Sequence, residues 1–178
     1  MLFRSHLRCG MSILGMGKSR NGLDDWQFSS GPALKPATPH DRFAEGVNIE
    51  ALIENEQGGL EDPRITQFGD EYVVTYSAYH AMVEDRVRVS MITTTDFKSF
   101  TRRGPVLDLD MRNVVLFPEK INGKYVALFR PNDVSANETG GKYTQIRIGY
   151  SDDVKSNRWT LEEKPVMQTG FGPSALTS

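Results

Sequence analysis

Glu61 and Asp62 stand side by side in GGLEDPRITQF, residues 58 to 68, with Pro63 and Arg64 next in line. Two neighbouring carboxylates repel each other unless cations hold them or one keeps its proton. A carboxyl that keeps its proton can serve as a general acid. The same residues in water would be a plain turn leading into a strand, because most surface Asp and Glu are solvated. Pro63 adds a condition. It has no N–H to give a sheet ladder, so it belongs at a strand's first residue or on an edge.

Cations that could face these acids recur along the chain. Arg64 follows the pair directly. Arg86 and Arg88 are two residues apart, so on a strand they share one face. Lys120 comes two residues after Pro118, as Arg64 does after Asp62. Arg130 ends one strand-like run, Arg4 ends its counterpart near the start, and Arg147 heads another. Arg102 and Arg103 follow a turn and read as plain surface.

The elements that must position these groups repeat. ITQFGDEYVVTYSAY is two strand-like runs around Gly69-Asp70, and EKINGKYVALFRP has the same plan around Asn122-Gly123. Asn-Gly between apolar runs is a strong hairpin signal, since both residues tolerate positive φ. A third strand follows each hairpin, then a turn, an aromatic residue and an X-Pro. Trp26, Phe100 and Trp159 thereby become equivalent, as do Pro32, Pro105 and Pro165. Pro63, Pro118 and Pro173 recur at steps of 55 residues and mark where new units are expected to begin. Helical periodicity is absent.

Similar four-strand units in series suggest the blades of a β-propeller, with an antiparallel sandwich as the alternative. The expected fold class is all-β, with residues 1–37 ending a first blade, 38–60 a connector, 61–108 a second blade, 109–168 a third, and 169–178 opening a fourth. If the first strand of each blade lines a central channel, Asp62, Glu119 and Gly172 face its mouth, and polar groups converge there as in a ligand pocket.

Bulk properties narrow the partners. The chain has 178 residues, 38% hydrophobic and 25% charged, enough for one globular domain. A net charge of -2 argues against nucleic-acid binding, which favours a basic face. Cys9 is the single cysteine, so no internal disulfide forms. His6, His40 and His80 lack ligand spacing. No apolar run approaches the ~18 residues of a membrane span. The start has no signal-peptide core, so a cytoplasmic location is expected. Asn137-Glu138-Thr139 fits a glycosylation pattern that carries little weight without a secretory signal.

GLEDPRI, TTDFKSF, GPVL, LFPEKINGKYVALFRP, IGYSDD and GFGP, in this order, resemble glycoside hydrolase family one hundred and thirty, the β-mannoside phosphorylases and their relatives. The resemblance runs from about Leu2 to Pro173. It implies a five-bladed β-propeller, of which this chain covers about half. It also implies inverting phosphorolysis of β-mannosides to α-mannose 1-phosphate, or, in some members, hydrolysis. An inactive or carbohydrate-binding propeller is the non-enzyme alternative.

By resemblance Asp62 is the general acid. Arg86, Lys120 and Arg130 match the phosphate clamp. Arg4, Glu61, Arg64, Tyr79 and Glu119 are candidate substrate contacts. Tyr79 can stack on a sugar or pack between sheets, whereas Tyr72 and Tyr76 fit packing. Phosphate is itself an anionic nucleophile, so phosphorolysis needs no base of the kind that activates water in an inverting hydrolase. It needs cations instead, and arginine's fork suits a phosphate. Neither metal nor organic cofactor is required; inorganic phosphate is the co-substrate and a β-mannoside oligosaccharide the partner. Open blade faces would favour a homo-oligomer and leave the chain alone with little phosphorolysis.

Overall fold

The structure is a computed structural model, and it describes residues 1–84, 86–131 and 145–168. Asn137-Glu138-Thr139, Gly172 and Pro173 lie outside the described residues. Three antiparallel units follow one another. The first is β1 (Leu2–His6), β2 (Ser12–Lys18) and β3 (Gln27–Phe28). After β4 (Arg42–Phe43) and α1 (Ile49–Glu56) comes a meander of β5 (Gly59–Phe68), β6 (Glu71–Tyr79), β7 (Val87–Thr94) and β8 (Thr101–Pro105). The third unit is β9 (Met111–Leu116), β10 (Tyr125–Pro131), β11 (Gln145–Ser151) and β12 (Thr160–Leu161), with β13 (Met167–Gln168) also on β11. Among the described residues the sheets form no closed ring.

The repeat read from the sequence has a physical basis in all three units. Trp26, Phe100 and Trp159 each immediately precede the short outer strand, β3, β8 or β12. The residue after each repeated proline then bonds back to the strand that precedes the outer one, β2, β7 or β11. Ala33 N donates to Leu14 O, Val106 N to Val89 O, and Val166 N to Ile146 O. Asn122 and Gly123 both have positive φ, 51° and 80°, as the hairpin requires.

Side chains alternate between the faces of a strand. In β6, Val73 therefore joins one core with Val89, Met91, Val114, Leu116, Phe129 and Trp159, while its neighbour Val74 joins another with Leu2, Leu14, Leu60, Tyr76 and Ile92. The second unit is thus covered on both faces, by the third unit and by the first. This double cover explains the nearly unbroken buried run of β6. Each buried Val contributes on the order of 1.5–3 kcal/mol.

Three expectations need correction. Helix is not absent, because α1 stands with β4 inside the connector 38–60. Two turns are too short to display a helical period, but Asn48 caps them by accepting from Ala51 N. Pro63 does not begin a unit. It sits within β5, where the pairing with β6 shifts between Glu61 and Arg64, and a bulge is one of the few sites where a strand tolerates a residue without an N–H. Pro118 also begins nothing, since it follows the end of β9.

Candidate active site

The bulge that accepts Pro63 also bends the backbone at Asp62, whose φ is +50°. Non-glycine residues seldom hold that conformation, and such strain gathers at functional sites. Glu61, next to it, is held from the first unit. Ser12 Oγ donates to Glu61 Oε1 at 2.7 Å, and Arg4 NH1 donates to Oε2 at 2.9 Å. The Tyr79 hydroxyl lies against the same carboxylate. Partial burial pushes the Glu61 carboxyl up, but the bonds from Ser12 and Arg4 and the Arg4 charge outweigh it and hold it below the usual range. Glu61 is therefore a tied carboxylate, ionised at neutral pH. Burial and the Glu61 charge push the Tyr79 hydroxyl up, opposed by Arg112, so Tyr79 keeps its proton and can donate it in a hydrogen bond.

The two glycines before the acids allow this assembly. A Cβ on Gly58 would lie 2.6 Å from Tyr79 O, and one on Gly59 would lie 2.9 Å from Ser12 N. Gly59 has φ +118° and pairs in parallel with Ser12, the bridge that joins the first unit to the second. Gly59→Ala should therefore cost about 1–3 kcal/mol and pull Ser12 away from Glu61. Urea unfolding measures the cost. A neutral result would mean that the backbone relaxes without parting β2 from β5.

The third unit reaches the same end. Ser77, opposite Glu61 in the β5–β6 register, donates from Oγ to Arg112 O on β9. Asn113 follows Arg112 and is paired in register with Arg130 on β10. Arg4, Ser12, Glu61, Asp62, Tyr79 and Arg112 thus form one cluster, with exposed Arg130 at the same end of the sheets. Ser12, Arg112 and Asn113 escaped the sequence reading. The Gly-Gly pair was the signal for Ser12, since it marks a close backbone approach.

Other expected site residues stand elsewhere. Lys120 lies 4.5 Å over the Tyr125 ring, at the start of β10. Arg130 is five residues along that strand, roughly 17 Å away. The two cations therefore do not share one rim, because residues flanking a hairpin can sit at opposite ends of its strands. Exposed Glu119 lies beyond the C-terminal end of β9, whereas Asp62 lies near the N-terminal end of β5, so the two acids are not equivalent. Exposed Arg64 follows the bulge opposite Thr75. Arg86 lines a cavity shared with α1, β8 and the turn after β11. Arg88 pairs with Asp108 and Asp110. Arg102 is not surface: it is 3% exposed and bound to Glu56 and Asp41.

Stacked antiparallel meanders, with a tethered Glu61 beside Asp62 and guanidinium groups near the head of β5, place this chain among all-β domains with an acid site at one end of the sheets. The chain belongs to glycoside hydrolase family 130, whose model, described as beta-1,4-mannooligosaccharide phosphorylase, matches residues 13–164. It is 36% identical over 132 residues to a 1,2-beta-oligomannan phosphorylase of Thermoanaerobacter sp. (strain X514), covering 70% of this chain and 40% of that protein. It is 34% identical over 154 residues to a beta-1,4-mannooligosaccharide phosphorylase of Ruminococcus albus, covering 86% and 41%. The beta-1,2-mannobiose phosphorylase of Listeria innocua, solved with beta-1,2-mannobiose, superposes with a TM-score of 0.65 at 30% identity, covering 86% of this chain and 35% of that one. The chain therefore spans well under half the length of these relatives. No helix among the described residues is long and apolar enough to cross a membrane.

Proposed function

We propose that this segment supplies the acid half of an inverting β-mannoside phosphorylase, with Asp62 as proton donor. The observation that carries the reading is the division of labour within the acid pair. Glu61 is tied by Ser12 and Arg4, which leaves Asp62, in the bulge, as the carboxyl to serve the substrate. A phosphate oxygen attacks the sugar's anomeric carbon as the glycosidic C–O bond breaks, and the Asp62 proton goes to the departing oxygen. Attack from the opposite face turns a β-mannoside into α-mannose 1-phosphate. Arg130 and Arg112 stand at the right end to offset the phosphate charge, and a paired guanidinium fork is the group for it. Lys120 and Arg86 fall outside this clamp. The relatives named as mannoside phosphorylases support the substrate class.

The test completes this segment with the remaining length of a relative and supplies β-mannobiose with and without inorganic phosphate. Mannose 1-phosphate should form, and turnover should fall to background when phosphate is withheld. Release of free mannose at the same rate without phosphate would make the protein a hydrolase and overturn the reading.

A further inference from the structure

We propose that the cavity on the outer flank of the second unit is a separate binding site for a sugar phosphate. It measures about 540 Å³ and is walled by α1, β8 and the turn Lys155–Arg158. That volume falls in the range of small-molecule pockets. Arg86, Arg103, Lys155 and Arg158 line it, against Glu45 and Asp108. Lys155 bonds Glu71 at 3.0 Å, and Asp108 bonds Arg88 at 2.9 Å, which Asp110 also shares. Three guanidinium groups then face Glu45 and a partly matched Asp108, which leaves the lining with an excess of positive charge. A phosphate monoester carries about -1.5 to -2 charge at neutral pH and suits that excess better than a singly charged carboxylate does.

Two orphaned atoms define the rest of the ligand. Asn55 is 7% exposed and lines the cavity, and its Oδ1 has no hydrogen-bond partner. Arg86 Nε is likewise buried without one. Buried polar groups are nearly always satisfied, so each orphan calls for an explanation. The guanidinium N–H needs an anionic oxygen, and the amide oxygen needs a hydroxyl donor. A phosphorylated sugar carries both groups in one small molecule. Gly104 keeps the wall open, with Leu52 and Val47 3.8 Å from where a Cβ would stand.

Trp159 gives a local reporter. Its indole donates to Ser156 O at 3.1 Å, on the turn that lines the cavity. Trp26 is the other tryptophan, so Trp26→Phe leaves Trp159 alone to fluoresce. Titrating this chain with glucose 6-phosphate should give a saturable change. Glucose and inorganic phosphate should each bind at least tenfold more weakly. Arg158→Glu, at an exposed side chain that the fold does not need, should weaken glucose 6-phosphate at least tenfold, and Asn55→Ala should weaken it as well. Asp62→Asn should leave it unchanged, which separates this site from the acid pair. No saturable change, full affinity in Arg158→Glu, or loss in Asp62→Asn would overturn the proposal. Inorganic phosphate binding as tightly as the sugar phosphate would overturn the choice of ligand.

Discussion

Asp62→Asn is expected to lower turnover on a β-mannoside about a hundred- to ten-thousand-fold in a protein that completes this segment, the range lost with a general acid. Amide and carboxyl have nearly the same shape, so the bulge should survive. Asn is also among the few residues that tolerate positive φ, and position 62 has φ +50°. The loss should therefore appear in kcat, with folding and sugar affinity little changed. A substrate whose leaving group needs no proton, such as a mannosyl fluoride, should recover much of the rate. Glu61→Gln should behave differently. It leaves a side chain that Ser12 can still reach but removes the charge that pairs with Arg4, so substrate binding should suffer more than the proton step. Near-normal turnover in Asp62→Asn, or an equal loss on both substrates, would remove Asp62 from the role.

Much of the scaffold is legible in the sequence because its signals are local. An aromatic residue before each outer strand, and a proline at its end or a few residues beyond, mark where a blade-like sheet closes. Asn122-Gly123 shows its hairpin because only certain residues take positive φ twice in succession. The site is less legible because its bonds cross units. Ser12 and Glu61 are 49 residues apart and meet through one parallel bridge at Gly59. Neither the Lys120 and Arg130 pairing nor the equivalence of Asp62 and Glu119 survives, since spacing along a chain does not say at which end of a strand a residue stands. The helix is invisible to periodicity, and Arg102 passes for a solvated charge because its partner Glu56 is 46 residues away. A sequence shows a buried ion pair only to a reader who already knows the topology.

Arg102→Ala should destabilise the chain by about 3–5 kcal/mol, the cost of leaving one partner of a buried ion pair behind. Arg102 NH1 bonds Glu56 Oε2 at 2.6 Å, its Nε bonds Asp41 at 3.1 Å, and its NH2 bonds Lys35 O at 2.7 Å. Glu56 is 0% exposed and also accepts from Tyr76 OH at 2.6 Å and from Ala37 N at 2.9 Å. The network pins α1 and the segment around Lys35 to β6 and β8. Domain stabilities run to about 5–15 kcal/mol, so this one loss is a large share. Burial already pushes the Glu56 carboxyl up, and the Arg102 charge is what pulls it back. Without Arg102 the folded-state value rises further above that of the unfolded chain. A group raised on folding adds stability below its unfolded value, and that stability is lost as pH rises through the folded value. The deficit of Arg102→Ala against the parent should therefore be smallest near pH 4 and grow toward pH 7. Urea unfolding across that range measures it. Arg102→Met paired with Glu56→Leu removes both charges together and should recover most of the loss, since apolar replacements of buried pairs are often neutral. A deficit that is flat with pH, or a double variant no better than Arg102→Ala, would mean that Arg102 acts through packing alone. Glu56 lies three residues before Gly59, so a loosened α1 also frees the strand that carries Glu61 and Asp62. In a protein that completes this segment, Arg102→Ala should then raise KM for the mannoside even at temperatures where the fold remains intact.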